Sequence, residues 1–177
     1  MNLLRARADI LVVGQGLAGT CLAWALERAG LAFELADRGH GYASTMAAAG
    51  IINPITGRRL VKSWRVEELM PESRAFFRDV DSALGVALWR EMRVRRLFAD
   101  DRERRVWSDK QGRREVAPCA GAGGDEGFWI EGAARVDLPA LLTAARGYWQ
   151  RAGRLRETPV GVLACEADRY AMVVDCS

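Results

Sequence analysis

Histidine is almost missing from this 177-residue chain, with His40 standing alone. Cysteine is scarce and scattered: Cys21, Cys119, Cys165 and Cys176 form no C-x-x-C pair. The two shortages exclude a Cys/His zinc site, and no metal site is expected. Lone cysteines read as small apolar core residues of a protein in a reducing compartment, so a cytoplasmic location is the default. Lysine is nearly absent too, since only Lys62 and Lys110 stand among 26 basic residues. The net charge of +3 is too small to argue for a nucleic-acid partner. No apolar run approaches the ~18 residues of a membrane span. The opening MNLLRARADILVV is broken by Arg5, Arg7 and Asp9 and then by glycines, which makes it a poor signal peptide.

Half of the residues are apolar, enough for one core or a little more. Residues 9–20, DILVVGQGLAGT, join four aliphatic residues to glycines at G-x-G-x-x-G spacing. An aliphatic run without polar alternation predicts a parallel strand buried on both faces at Ile10–Val13. Gly14 permits a tight turn, Gly16 leaves room for a phosphate, and Gly19 lets the next helix approach the strand. That helix is predicted over 17–29, with Gly30 ending it. A second strand over 32–36 closes at Asp37. Its carboxylate falls about 20 residues past the turn, where an acid accepts hydrogen bonds from a ribose diol. Free N–H groups and the helix dipole would hold a pyrophosphate. The order strand, turn, helix, strand, acid points to a dinucleotide. A plain glycine-rich turn is the alternative, and the motif does not separate NAD from FAD.

Residues 37–64, DRGHGYASTMAAAGIINPITGRRLVKSW, carry the next signal. Ser44 and Thr45 are short hydroxyl donors, Ala47–Gly50 are too small to block a ligand, and Asn53-Pro54 forces an extended or turning path. Such a loop suits a second approach to a diphosphate or a flavin ring, and equally a tight helix start against a sheet. The DILVVGQGLAG…AD pair followed by STMAAAGIINP resembles the FAD-dependent oxidoreductases of the D-amino acid oxidase superfamily, which includes glycine and sarcosine oxidases. The resemblance runs from about Asp9 to the C-terminus. It implies that Gly14, Gly16, Leu17, Ala18 and Gly19 line the FAD pyrophosphate, and that Asp37, with Arg38 beside it, holds the adenosine ribose. It further implies that Ser44 and Thr45 reach the phosphates or ribityl chain, that Ala48, Gly50 and Ile51 pass the flavin, and that Val160 touches adenine.

Downstream, a helix is predicted over 64–84, kinked or restarted at Pro71. A half-exposed strand follows over 89–98, with a partner near 104–108 across a polar DDRE turn. The basic cluster Arg93, Arg95, Arg96, Arg104, Arg105, Arg113 and Arg114 is interleaved with acids and reads as a solvated face. Residues 117–127 read as a turn-rich loop and 128–130 as a strand. Asp137 reads as the N-cap of a helix over 138–152. Strands at 160–164 and 170–175 are predicted to pair across a polar turn, with 175–177 inside a hairpin.

The expected fold class is α/β: a Rossmann-like FAD-binding domain with a parallel sheet, plus part of an inserted antiparallel substrate-domain sheet. Residues 1–85 and 134–177 would form the FAD part and 86–133 the substrate part. In the resembled family roughly as much sequence again follows, so the chain is expected to be an N-terminal portion. The implied activity is oxidation of a small-molecule amine or amino acid by hydride transfer to FAD. The alternative is a non-catalytic FAD-binding portion that needs a complementing chain or a homo-oligomeric partner. An NAD-dependent protein is a third reading. No His, Lys or Tyr stands out as a catalytic base.

Overall fold

A computed structural model of the chain describes residues 9–39, 41, 43–158 and 167–177. In chain order its elements are β1 (Ile10–Val13), α1 (Leu17–Arg28), β2 (Phe33–Asp37), α2 (Ser44–Ala47), β3 (Ile51–Ile52), β4 (Ile55–Thr56), β5 (Val61–Lys62), α3 (Val66–Leu84), β6 (Trp89–Leu97), α4 (Asp101–Gly112), β7 (Ala120–Gly123), β8 (Gly127–Val136), α5 (Leu138–Arg151), β9 (Leu155–Glu157) and β10 (Met172–Asp175). They fall into two compact units. The first comprises Met1–Ala48, Ala83–Val86 and Leu138–Ser177, the second Ala49–Ser82 and Ala87–Asp137. The mixed α/β architecture matches the expected class, with one parallel and two antiparallel sheets.

The sheet of the first unit has the order β10-β1-β2-β9, and every pairing in it is parallel. β1 is an inner strand, which explains its unbroken aliphatic sequence: Leu11, Val12 and Val13 are all buried. The chain leaves β1 toward β2 on one side, and β10 lies on the other, so the strand order reverses beside β1. α5 lays Leu141, Leu142, Ala145 and Trp149 fully into the core. The Trp149 ring sits 4.8 Å from that of Trp24 on α1 and 5.3 Å from that of Phe33 on β2, so one side chain joins three elements.

In the second unit β8 pairs antiparallel with β3, β6 and β7. β4 and β5 form a separate ladder, and the turn between them buries Leu60. Ile55, Leu60, Val116, Phe128 and Ile130 make the core, with Phe98 and Trp107 packed against it.

Several expectations are corrected here. The partner strand near 104–108 does not exist, because those residues lie in α4, and β6 pairs with β8. Asp100 caps the helix, its carboxylate accepting the Glu103 N–H at 2.8 Å, while the Glu103 carboxylate accepts the Ala99 N–H at 2.8 Å. The DDRE stretch is thus a helix start of capping-box type. Residues 120–123 of the expected loop form β7. Pro71 does not restart the helix, since α3 runs unbroken through it from Val66 to Leu84. β9 was not expected, being only three residues long. The strand at 172–175 exists and pairs parallel with β1. The expected strand at 160–164 lies outside the described residues.

Arginines of the basic cluster stand within ion-pair distance of acids: Arg93 with Glu131, Arg95 with Glu126, Arg96 with Glu103, Arg104 with Asp101 and Arg113 with Glu115. Among the described residues no helix is long and apolar enough to cross a membrane.

Candidate functional site

The carboxyl ends of β1, β2 and β10 meet where the strand order reverses, the place where open α/β sheets bind ligands. A cleft of about 760 Å³ opens there. Its lining brings together Gly14, Gly16, Leu17, Ala18, Asp37, Arg38, Ser44 and Thr45 from the sequence reading, together with Gly39, Ala43, Cys176 and Ser177. All belong to the first unit.

The three glycines differ in what demands them. Gly14 has φ +92°, and a Cβ there would come within 2.8 Å of the Cys176–Ser177 backbone. A Cβ on Gly19 would fall 1.9 Å from the Gly14 carbonyl oxygen, so this glycine lets α1 close onto the turn. Both are required by the polypeptide itself. Gly16 is different. Its φ is −77°, which any residue adopts, and among the described residues a Cβ there would meet only Thr45 Oγ1, at an ordinary 3.5 Å. Among the described residues only Thr45 borders the space that Gly16 leaves beside the cleft.

The first turn of α1 carries no acidic residue, and Gly16 gives it no side-chain cap. The positive end of its dipole thus meets no acidic side chain of its own first turn, a setting that favours an anion. Thr45 takes part in this end: its Oγ1 accepts the Leu17 N–H at 3.2 Å. Ser44 is exposed beside it at the start of α2.

Asp37 ends β2 and is 8% exposed. Its Oδ2 accepts the Gln15 N–H at 2.9 Å, and its Oδ1 accepts the Gly39 N–H at 2.7 Å and Arg146 Nη1 at 2.9 Å. The carboxylate lines the cleft with most of its acceptor capacity already used. Sequence reasoning missed two members of this cluster, Gln15 and Arg146. The available signal was Arg146 itself, a charge set within the apolar stripe of α5 between Leu142 and Trp149.

Ala48 ends α2 and lies outside the cleft's lining. Gly50 and Ile51 belong to the second unit, at the start of β3. Val160 lies outside the described residues. The Cys176 thiol is pushed up, first by burial and then by the Asp175 charge, so it stays protonated near neutral pH. Among the described residues no group of three His, Cys, Asp or Glu could hold a metal.

A family model described as FAD dependent oxidoreductase matches residues 9–167. The cleft fits such a cofactor on the observation already made, a cradle at Gly16 that a side chain would fill and that the described residues leave open. No curated protein matches the chain significantly. Solved structures with a similar fold include an L-amino acid deaminase from Proteus myxofaciens in complex with anthranilate, at 15% identity and TM-score 0.60, covering 88% of this chain and 39% of that one. Another is an iminodiacetate oxidase from a Chelativorans species, at 22% identity and TM-score 0.57, covering 85% of this chain and 47% of that one. A third is a glycine oxidase from Bacillus cereus, at 22% identity and TM-score 0.56, covering 85% and 46%. The chain spans less than half the length of each of the three.

Proposed function

The chain belongs to the family of FAD-dependent oxidoreductases, and we propose on that premise that it is the FAD-holding portion of an enzyme that oxidises a small amine or amino acid. The observation that carries the reading is the first unit's cleft, built at the strand-order reversal with open space at Gly16. In this reading Gly14, Gly16, Leu17, Ala18 and Gly19 surround the pyrophosphate. Asp37 and Arg38 hold the adenosine ribose, and Ser44 and Thr45 face the phosphates or ribityl chain. Ala48, Gly50 and Ile51 run past the flavin, and Val160 meets the adenine. The first unit is the FAD-binding part, and the antiparallel second unit belongs to the substrate side. The substrate class rests on the names of the structural relatives, which are oxidases and deaminases of amino acids and related amines.

A bound FAD would supply the hydride acceptor for oxidation at the carbon next to a substrate nitrogen. The residues of this chain would orient the cofactor: the α1 N-terminus neutralises phosphate charge, and the buried Asp37 fixes the adenosine end. Free thiols at Cys21, Cys119 and Cys176 support a cytoplasmic setting. The span of less than half the relatives' length favours a second reading, in which this chain binds FAD without turning over a substrate and relies on a complementing chain or segment. Anaerobic mixing of the FAD-loaded chain with glycine, sarcosine and D- and L-amino acids separates the two. Bleaching of the oxidised flavin band by one substrate class supports the oxidoreductase, and an unchanged spectrum with all of them supports the binding portion.

A further inference from the structure

A buried arginine needs a reason, because a guanidinium is rarely taken out of water without a partner. Arg146 is 8% exposed, in the middle of the buried face of α5. Its Nη1 donates to two acceptors at once, Gln15 Oε1 at 2.8 Å and Asp37 Oδ1 at 2.9 Å. Its Nη2 lies 3.0 Å from Glu157 Oε2 on β9, close enough for an ion pair but not aligned for a hydrogen bond. Gln15 is fully buried, and its Nε2 donates to the Leu142 carbonyl at 3.2 Å. The Gln15 backbone N–H in turn donates to the other Asp37 oxygen at 2.9 Å. One guanidinium thus ties the turn after β1 to the carboxylate after β2.

We infer that Arg146 is a positioning residue for nucleotide binding: it pairs with the buried Asp37 carboxylate, fixes its rotation together with the Gln15 and Gly39 N–H groups, and leaves an acceptor site on Oδ2 for a ribose hydroxyl. This rests on the reading of the cleft as the FAD site. An ionised carboxylate offers about four acceptor positions. Arg146 and Gly39 fill the two on Oδ1, and Gln15 fills one on Oδ2. Among the described residues the remaining position therefore belongs to Oδ2. The structure assigns Asp37 a single hydrogen bond to the ribose, where an unencumbered acid could make two. Without Arg146 the carboxylate would be a buried charge lacking its counter-ion, held only by the Gln15 and Gly39 N–H groups. Lysine cannot replace it, because one ammonium point does not reproduce a planar donor fork shared between an amide and a carboxylate.

The test is titration of the full chain with FAD, followed by flavin fluorescence, for wild type, Arg146→Met, Asp37→Asn, the double variant and Arg146→Lys, each checked for fold by circular dichroism. Arg146→Met is expected to weaken FAD about ten- to hundredfold, the range of a charge-assisted hydrogen bond. The double variant is expected to be no weaker than Arg146→Met alone, because both changes remove the same contact. Arg146→Lys is expected to fall between wild type and Arg146→Met. Multiplying losses in the double variant, or unchanged affinity in Arg146→Met, would overturn the assignment while leaving the FAD site standing. If Arg146→Met does not fold, Arg146→Lys decides: folded protein with wild-type affinity overturns the inference, and weakened affinity supports it. Failure of wild type itself to take up FAD would overturn the cleft reading, and this inference with it.

Discussion

Replacing Gly16 with alanine separates the needs of the fold from those of the ligand. Among the described residues a Cβ at position 16 meets only Thr45 Oγ1, at 3.5 Å, and the backbone φ of −77° suits alanine. The expected stability loss is therefore below about 1 kcal/mol, the difference between glycine and alanine at an N-cap. The same substitution at Gly19 puts a methyl 1.9 Å from the Gly14 carbonyl oxygen, which no side-chain adjustment relieves. Overpacking of that kind costs about 1–3 kcal/mol or more. For FAD the order reverses in meaning. On the proposed reading, a methyl at position 16 would take the room left for the pyrophosphate and displace it from the amides of α1. Losing one charge-assisted hydrogen bond there weakens binding by about 1.5–3 kcal/mol, or roughly ten- to more than a hundredfold. Urea unfolding measures the first quantity and flavin fluorescence titration the second. The predicted result is Gly16→Ala with near-normal unfolding and much weaker FAD, and Gly19→Ala with a clear loss of stability. Folded Gly16→Ala protein with unchanged FAD affinity would refute the reasoning.

Other expectations follow from the same structure. Asp100→Ala removes the α4 cap and is expected to lower unfolding stability by about 1 kcal/mol, read from the urea midpoint. Trp149→Ala empties a fully buried site between Trp24 and Phe33 and is expected to cost about 3–5 kcal/mol, measured by thermal or urea unfolding. Burial pushes the Cys21 thiol from 9.0 to about 11, so the folded state binds its proton more tightly than the unfolded state. That contribution to stability is complete below pH 9 and is lost as pH rises through about 11. Cys21→Ala should flatten the alkaline limb of the stability profile, and an identical limb in the variant would contradict this.

The legible parts of the sequence were those where local signals agree. In 9–37 an aliphatic run, spaced glycines and a closing acid occur in order, and β1, α1 and β2 fall there. The stripe Leu142, Ala145 and Trp149 likewise marked the buried face of α5. Elsewhere one local signal was read as another. Asp100 and Glu103 are polar enough for a turn, yet their spacing is that of a capping box, and a helix follows. β10 was visible as a strand, but its parallel partner β1 is more than 150 residues away, and no local pattern encodes that pairing. The Asp37–Arg146 pair escaped for a similar reason, since 109 residues separate its members. Only the misfit of an arginine on an apolar helix face could have announced it.

The central claim is that the cleft after β1, β2 and β10 holds FAD. It is tested most directly by the absorption spectrum of the purified chain before and after addition of FAD and removal of the excess. Retained flavin with a shifted, structured band is the predicted result. A folded chain that comes through colourless, with no retained flavin, would contradict it.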